Sequence, residues 1–236
     1  AFLIAMRAHR DLGEPGMGTH MNVYDAVSRW DAIEESPVFS DADRLFVTNH
    51  FLYILRSEEG CQHGFFRQGT RTAGVRHNHQ TLPGLAGLFG GRYVERGYGL
   101  AEAAEWQQAA RALFESQAVS HKPQCDCNCY EWTTLDQTGT WALASGDERF
   151  FSSGVMRAAA ERALLQLDNR GYSAANGDFW TLDYFPQALF EQAAAYYRDG
   201  RYEWAMRRRY AGQSGEARRG VAHLVRDLEP VPPTDM

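Results

Sequence analysis

Two short runs of residues gather the groups that acid–base chemistry needs. Arg76, His77, Asn78, His79, Gln80 and Thr81 are consecutive, and a second run goes from Asp126 through Cys127, Asn128, Cys129, Tyr130 and Glu131 to Trp132. One reaction that suits such a set is removal of a proton next to a carboxylate, followed by loss of an oxygen one carbon further on. In a uronic acid this takes the C5 proton and expels the C4 oxygen. The C5 proton is hard to remove while the carboxylate is charged. A neutral amide, a protonated imidazole or a guanidinium beside the carboxylate stabilises the enolate-like transition state. A base near C5 and an acid near the leaving oxygen complete the set, and histidine and tyrosine suit both roles. An Asn-His pair with a tyrosine supplies all three functions, and the set needs no metal or organic cofactor.

Ordinary structural roles compete with each assignment. His77 and His79 could satisfy buried carbonyls, Asn78 could cap a helix, and Tyr130 could be a core residue with its hydroxyl at the surface. Trp132, Trp141 and Trp180 could line a sugar groove, but an aromatic within an apolar helical run, as Trp141 is, belongs in the core. Asp147 and Asp178 each follow a glycine, the usual place of a turn residue. Arg92, after a double glycine, could hold a substrate carboxylate or pair with a nearby acid.

The elements that must position these residues read as helices. Ser40 with Asp43 has the form of an N-terminal cap, and Leu45, Phe46, Leu52 and Leu55 then recur at helical spacing up to a stop near Gly60. The span 62–78 is polar and reads as a loop. Leu82–Phe89 reads as a short buried helix closed by Gly90 and Gly91. Leu100, Ala103, Ala104, Ala110, Leu113 and Phe114 mark a longer helix within 100–119. Further helices are expected over 152–167, stopping at the turn Asp168-Asn169-Arg170-Gly171, from Asp183 to the Asp199-Gly200 break, and over 202–210, with a weaker signal at 216–228. The two chemical runs fall at loop-to-helix junctions. Period-2 alternation is nearly absent, so the fold class is all-α, built of antiparallel helical hairpins. The segment 1–236 is read as one domain with a linker-like tail, 229–236.

Composition sets bounds. Hydrophobic residues are 44% and charged residues 23%, values of an ordinary globular chain. The net charge of −6 opposes non-specific attraction to nucleic acid or anionic membrane. No stretch has the apolar length of a membrane span. The apolar start Ala1–Met6 lacks a basic flank and a cleavage site, so no signal peptide is assigned. Lys122 is the only lysine among the 24 basic residues; arginine grips carboxylates with two parallel hydrogen bonds. Cys125, Cys127 and Cys129 are too closely spaced for a standard zinc knuckle, although a metal completed by Cys61 or a histidine stays open.

Taken together, the runs NHQT, GLFGGRY, CDCNCYEW, GTWALASGDERFFSSG and LDNRGY, followed by NGD, resemble the heparinase II/III-like and alginate/glucuronan-lyase-type polysaccharide lyases over roughly residues 30–200. The resemblance implies an (α/α) toroid, here an incomplete one, and β-elimination on an anionic polysaccharide that leaves a 4,5-unsaturated sugar. In that family an Asn-His pair and a downstream Tyr lie in the cleft. By resemblance, Asn78 neutralises the carboxylate, His79 assists it or acts as base, and Tyr130 is acid, base or both. Arg76, His77, Gln80, Arg92, Asn128 and Trp132 are the residues expected to hold substrate. A secreted or periplasmic location follows from the same resemblance. Two alternatives stand beside it. A hydrolase on a similar scaffold would use two carboxylates drawn from Asp126, Glu131, Asp147 and Asp178, and a non-catalytic sugar-binding domain would need only the aromatics.

Overall fold

The computed structural model describes residues 23–58, 60–62, 64, 66–68, 75, 78–115, 117, 128–173, 185–209 and 227–233. The described residues form helices and no strands; the only β-type pairing among them is an isolated bridge between Leu167 and Ser173. The all-α expectation holds. The chain divides into two compact units, Ala1–Ser116 and Gln117–Met236.

In the first unit, α1 is Val23–Asp31, α2 Asp41–Arg56, α3 Asn78–Tyr98 and α4 Glu102–Glu115. The start of α2 follows the sequence. Ser40 Oγ accepts the Asp43 N–H at 3.2 Å while Asp43 Oδ2 accepts the Ser40 N–H at 3.1 Å, a reciprocal capping box. Its buried face differs from the expected one: Val47, Phe51, Ile54 and Leu55 are buried, whereas Leu45 is exposed. The span read as a loop carries helical residues at 66–68.

The largest departure is α3. Gly90 and Gly91 do not end it; the helix runs on to Tyr98. Both glycines are there for close packing. A Cβ on Gly90 would meet the Leu55 side chain at 2.7 Å, and one on Gly91 would sit 3.0 Å from the Ala103 carbonyl oxygen. A side chain at either place would push α2 or α4 away, so helix contact outweighs the roughly 1 kcal/mol each glycine costs in a helix interior. The α3–α4 hairpin and α1 enclose Val27, Trp30, Leu85, Val94, Leu113 and Phe114.

The second unit holds α5 (Asn128–Ser145), the short α6 (Arg149–Ser152), α7 (Val155–Leu165), α8 (Gln187–Tyr197) and α9 (Gly200–Arg209). The expected turn at Asp168–Gly171 is present, with Gly171 at φ +82°. Asp183 and the weak helical signal at 216–226 lie outside the described residues. α8 and α9 pack as a hairpin joined at Arg198, whose φ of 53° ends α8. Trp141, Phe150, Phe151, Phe190, Tyr202 and Met206 form the core. The buried hydroxyls of α5 stay within their own helix: Thr138 donates to the Thr134 carbonyl at 2.8 Å, and Thr134 to the Tyr130 carbonyl at 2.8 Å. No described helix is long and apolar enough to cross a membrane.

Candidate functional site

The two chemical runs both lead into helix starts, as the sequence suggested. Asn78 and His79 are the first two residues of α3, and Tyr130 is in the first turn of α5. A helix start presents backbone N–H groups without intrahelical partners and the positive end of the helix dipole. Either start is thus a place where a carboxylate, or a tyrosine losing its proton, is stabilised.

In the first unit, Asn78 is 6% exposed and its carbonyl accepts the Thr81 hydroxyl at 3.0 Å. Gln80 is buried and His79 half-buried. Pro83 sits four residues after His79 and has no N–H to give the His79 carbonyl, which loosens the hydrogen-bond ladder at that turn. Arg76 and His77 lie outside the described residues. Arg92 is exposed on the same helix, fourteen residues after Asn78. At 1.5 Å per residue that is about 20 Å along the axis. Arg92 therefore does not reach the same sugar unit as Asn78.

In the second unit, Tyr130 is half-buried. Its neighbour Glu131 pairs with Arg162 of α7, and the Arg162 guanidinium lies 5.3 Å from the Trp132 ring centroid. Trp132 is 1% exposed, so it packs as a core residue and not as an open platform for a sugar. Its indole N–H is buried without an acceptor. Arg162 also lines a shallow cavity of about 230 Å³ with Val155, Ala158 and Ala159. The reading of the sequence did not single out Arg162; its position one turn from the end of an alanine-rich helix carries no motif. The backbone at Asn128 is helical, but its side chain, together with Cys125, Cys127, Asp126 and Asp178, is outside the described set.

The carboxylates proposed for a hydrolase are engaged elsewhere where they are described. Glu131 is tied to Arg162, and Asp147 accepts both the backbone N–H of Arg149 at 3.1 Å and its Nε at 2.8 Å, a turn-closing role. The unusual carboxylates are ones the sequence reading passed over. Asp136 faces Glu191 across the α5–α8 contact and accepts Gln192 Nε2 at 2.9 Å; Glu191, 1% exposed, accepts Gln187 Nε2 at 2.7 Å. Burial first, then the charge of Glu191, pushes the Asp136 carboxyl up to about 7 against the opposing help of Gln192. An acidic residue inside the threonine-rich face of α5 was the available signal.

Cys61 is a buried thiol pushed up to about 12, chiefly by desolvation, and so is a poor nucleophile. Among the described residues, no three His, Cys, Asp or Glu side chains come together as a metal site requires. No protein-family profile, curated protein or solved structure matches the chain.

Proposed function

We propose that the chain is the helical catalytic part of a carbon–oxygen lyase that cuts a uronic-acid polymer by β-elimination, its hairpins forming part of an (α/α) toroid. Asn78 neutralises the substrate carboxylate through its amide, His79 assists it or takes the C5 proton, and Tyr130 takes or returns a proton at C5 or the departing C4 oxygen. The C5–H and C4–O bonds break and a C4–C5 double bond forms. The chemistry proceeds without an organic cofactor. The substrate is an anionic polysaccharide, neither nucleic acid nor a membrane component, and the protein works outside the cytoplasm, secreted or periplasmic.

The observation that supports this reading is the placement of both runs at helix starts. The Asn78–His79 pair opens α3 and Tyr130 lies in the first turn of α5. A developing anion at either residue meets the positive end of a dipole worth about half a charge. The test is ultraviolet absorbance of the conjugated double bond on glucuronan, alginate, hyaluronan and heparin-type polymers. Absorbance should grow with the wild type on one of these and not with Tyr130→Phe. New reducing ends without that absorbance would replace the lyase by a hydrolase.

A further inference from the structure

The sequence puts Leu45, Phe46, Leu52 and Leu55 together as the apolar set of α2, and the folded chain turns only part of it inward. Leu55 joins Val47, Phe51 and Ile54 in the core. Leu45 and Tyr53 stay 59% and 63% exposed, and Phe46 and Leu52 are half-buried. Ala42, Asn49 and Arg56 are exposed as well. Ala42, Leu45, Asn49, Leu52 and Arg56 alternate three and four residues apart, the spacing of a seam along which one helix packs on another. Phe46 and Tyr53 flank that seam.

The seam has the same pattern in both directions. Asn49 is its midpoint, with Leu45 and Tyr53 each four residues away, Phe46 and Leu52 each three, and Ala42 and Arg56 each seven. A second copy of α2 laid antiparallel on the first, with Asn49 at the crossing, therefore sets Leu45 against Tyr53 and Phe46 against Leu52 on both sides. The one polar position between them falls on itself. An asparagine amide both donates and accepts, so the N–H of one Asn49 is matched to the carbonyl of the other. The ends agree too. α2 has Asp41 and Asp43 in its first turn and Arg56 in its last, and antiparallel packing brings the acids and positive dipole end of each helix beside the arginine and negative end of the other. Asp41 pairs with Arg44 and Arg56 with Glu102 within the chain, yet the Asp41 side chain stays fully exposed and that of Arg56 half exposed. The loop before α2 widens the surface. Arg44 holds it by donating to the carbonyls of Glu34 at 2.8 Å and Ser36 at 3.1 Å, and Ile33 and Val38 within it are exposed.

We infer that α2 is the two-fold interface of a homodimer, in which a second copy of this chain packs antiparallel on the Leu45–Tyr53 face with Asn49 against Asn49. Such a contact is isologous and closes at two chains. One pair of helices with a short loop is a small interface, so the dimer forms reversibly with concentration. It does not depend on the elimination proposed above.

The experiment is sedimentation equilibrium of the whole chain over a range of concentrations. Wild-type protein should pass from monomer to dimer. Leu45→Glu with Tyr53→Glu, both at exposed positions, should weaken the dimer about tenfold or more and leave the urea midpoint of the monomer unchanged. Under mild oxidation Asn49→Cys should cross-link two chains above the wild-type level. Leu45→Cys should not, because antiparallel packing sets the two copies of that residue about 12 Å apart along the helix axis, too far for a disulfide. A dimer that the glutamates leave intact, or cross-linking through Leu45→Cys as strong as through Asn49→Cys, overturns the interface. A wild type that is monomeric at every concentration overturns it as well, and a lower urea midpoint for the glutamate variant would then place the cover of this face within the chain.

Discussion

Gln192 on α8 is fastened to Asp136 of α5, with a longer bond to Thr140 Oγ1 at 3.4 Å. Its Nε2 donates to Asp136 Oδ1 at 2.9 Å and lies 3.2 Å from the Asp136 carbonyl oxygen. The other end of the amide, Oε1, is buried against Gly139 with no donor. The α5–α8 contact is therefore rich in acceptors: the Asp136 carboxyl, the Glu191 carboxylate and the Gln192 oxygen. The charges on neighbouring elements are paired away from it, Arg162 of α7 with Glu131 and Arg149 of α6 with Asp147. A proton on Asp136 is what such a contact favours.

Stability should accordingly fall as the pH rises through the titration of Asp136. Its carboxyl goes from an ordinary 3.8 to about 7 in the folded protein. Between those values the folded chain holds a proton that the unfolded chain has lost, and stability declines with pH wherever the folded state binds more protons. Asp136→Asn keeps an acceptor for Gln192 and removes the ionisation. Above neutral pH the variant should be the more stable by on the order of 2–4 kcal/mol. Urea midpoints measured across this pH range would decide it. Parallel curves for the two proteins would refute the assignment of Asp136.

Gly139→Ala should damage the same contact by crowding. A Cβ at Gly139 would fall deep inside contact distance of Gln192 Oε1 and 2.8 Å from its Cδ, and that amide cannot swing away without leaving Asp136. Overpacking of this kind costs about 1–3 kcal/mol. Gln192→Ala removes the obstacle, so the two changes together should destabilise less than their sum. A double-mutant cycle by denaturant unfolding reads the coupling; additive effects would mean the contact is looser than described.

The secondary structure was largely legible in the sequence because helices announce themselves locally. The Ser40–Asp43 cap and the breaks at Gly171 and Asp199 are signalled within a few residues, whereas the sequence signals the helix from Asn78 only at Leu82 and assigns none from Asn128. What was misread depended on distant partners. Gly90 and Gly91 look like a stop, yet they serve the approach of Leu55 and Ala103. Trp132 looks like a sugar platform beside Tyr130, but α7 covers it through Arg162. Glu191 and Arg162 have no local signature at all, and Asp136 only its place among the threonines of α5, because their character comes from what another helix places against them.

Ser40→Ala tests the most local of these signals. It removes the hydroxyl that accepts the Asp43 N–H, and with it the donor of the 2.7 Å bond to Asp43 Oδ2. Loss of an N-terminal cap costs about 1 kcal/mol, while Ser40→Asp should restore most of it because a carboxylate also accepts at that position. Thermal unfolding of the three proteins measures both effects. Equal melting temperatures for wild type and Ser40→Ala would show that α2 is held by its buried face alone.

Tyr93→Phe probes a buried polar network that α2 shares with α1 and α3. The Tyr93 hydroxyl donates to Glu34 Oε2 at 2.6 Å, accepts from Trp30 Nε1 at 3.1 Å and lies 2.9 Å from Thr48 Oγ1. Thr48 in turn meets the Tyr98 hydroxyl at 2.9 Å. Burial, and then the bond to Glu34, raise the Tyr93 hydroxyl well above its ordinary range, so it is a fixed donor and not an acid for catalysis. Phenylalanine keeps the ring packed against Phe51 but strips Trp30 and Thr48 of this partner. Buried groups left unsatisfied cost about 1–3 kcal/mol, so Tyr93→Phe should lower the unfolding midpoint by that amount. Tyr130→Phe should destabilise less, since Tyr130 is half-buried in the first turn of α5 whereas Tyr93 is 2% exposed. Comparable destabilisation by the two changes would assign Tyr130 to the core and remove the hydroxyl on which the proposed elimination depends.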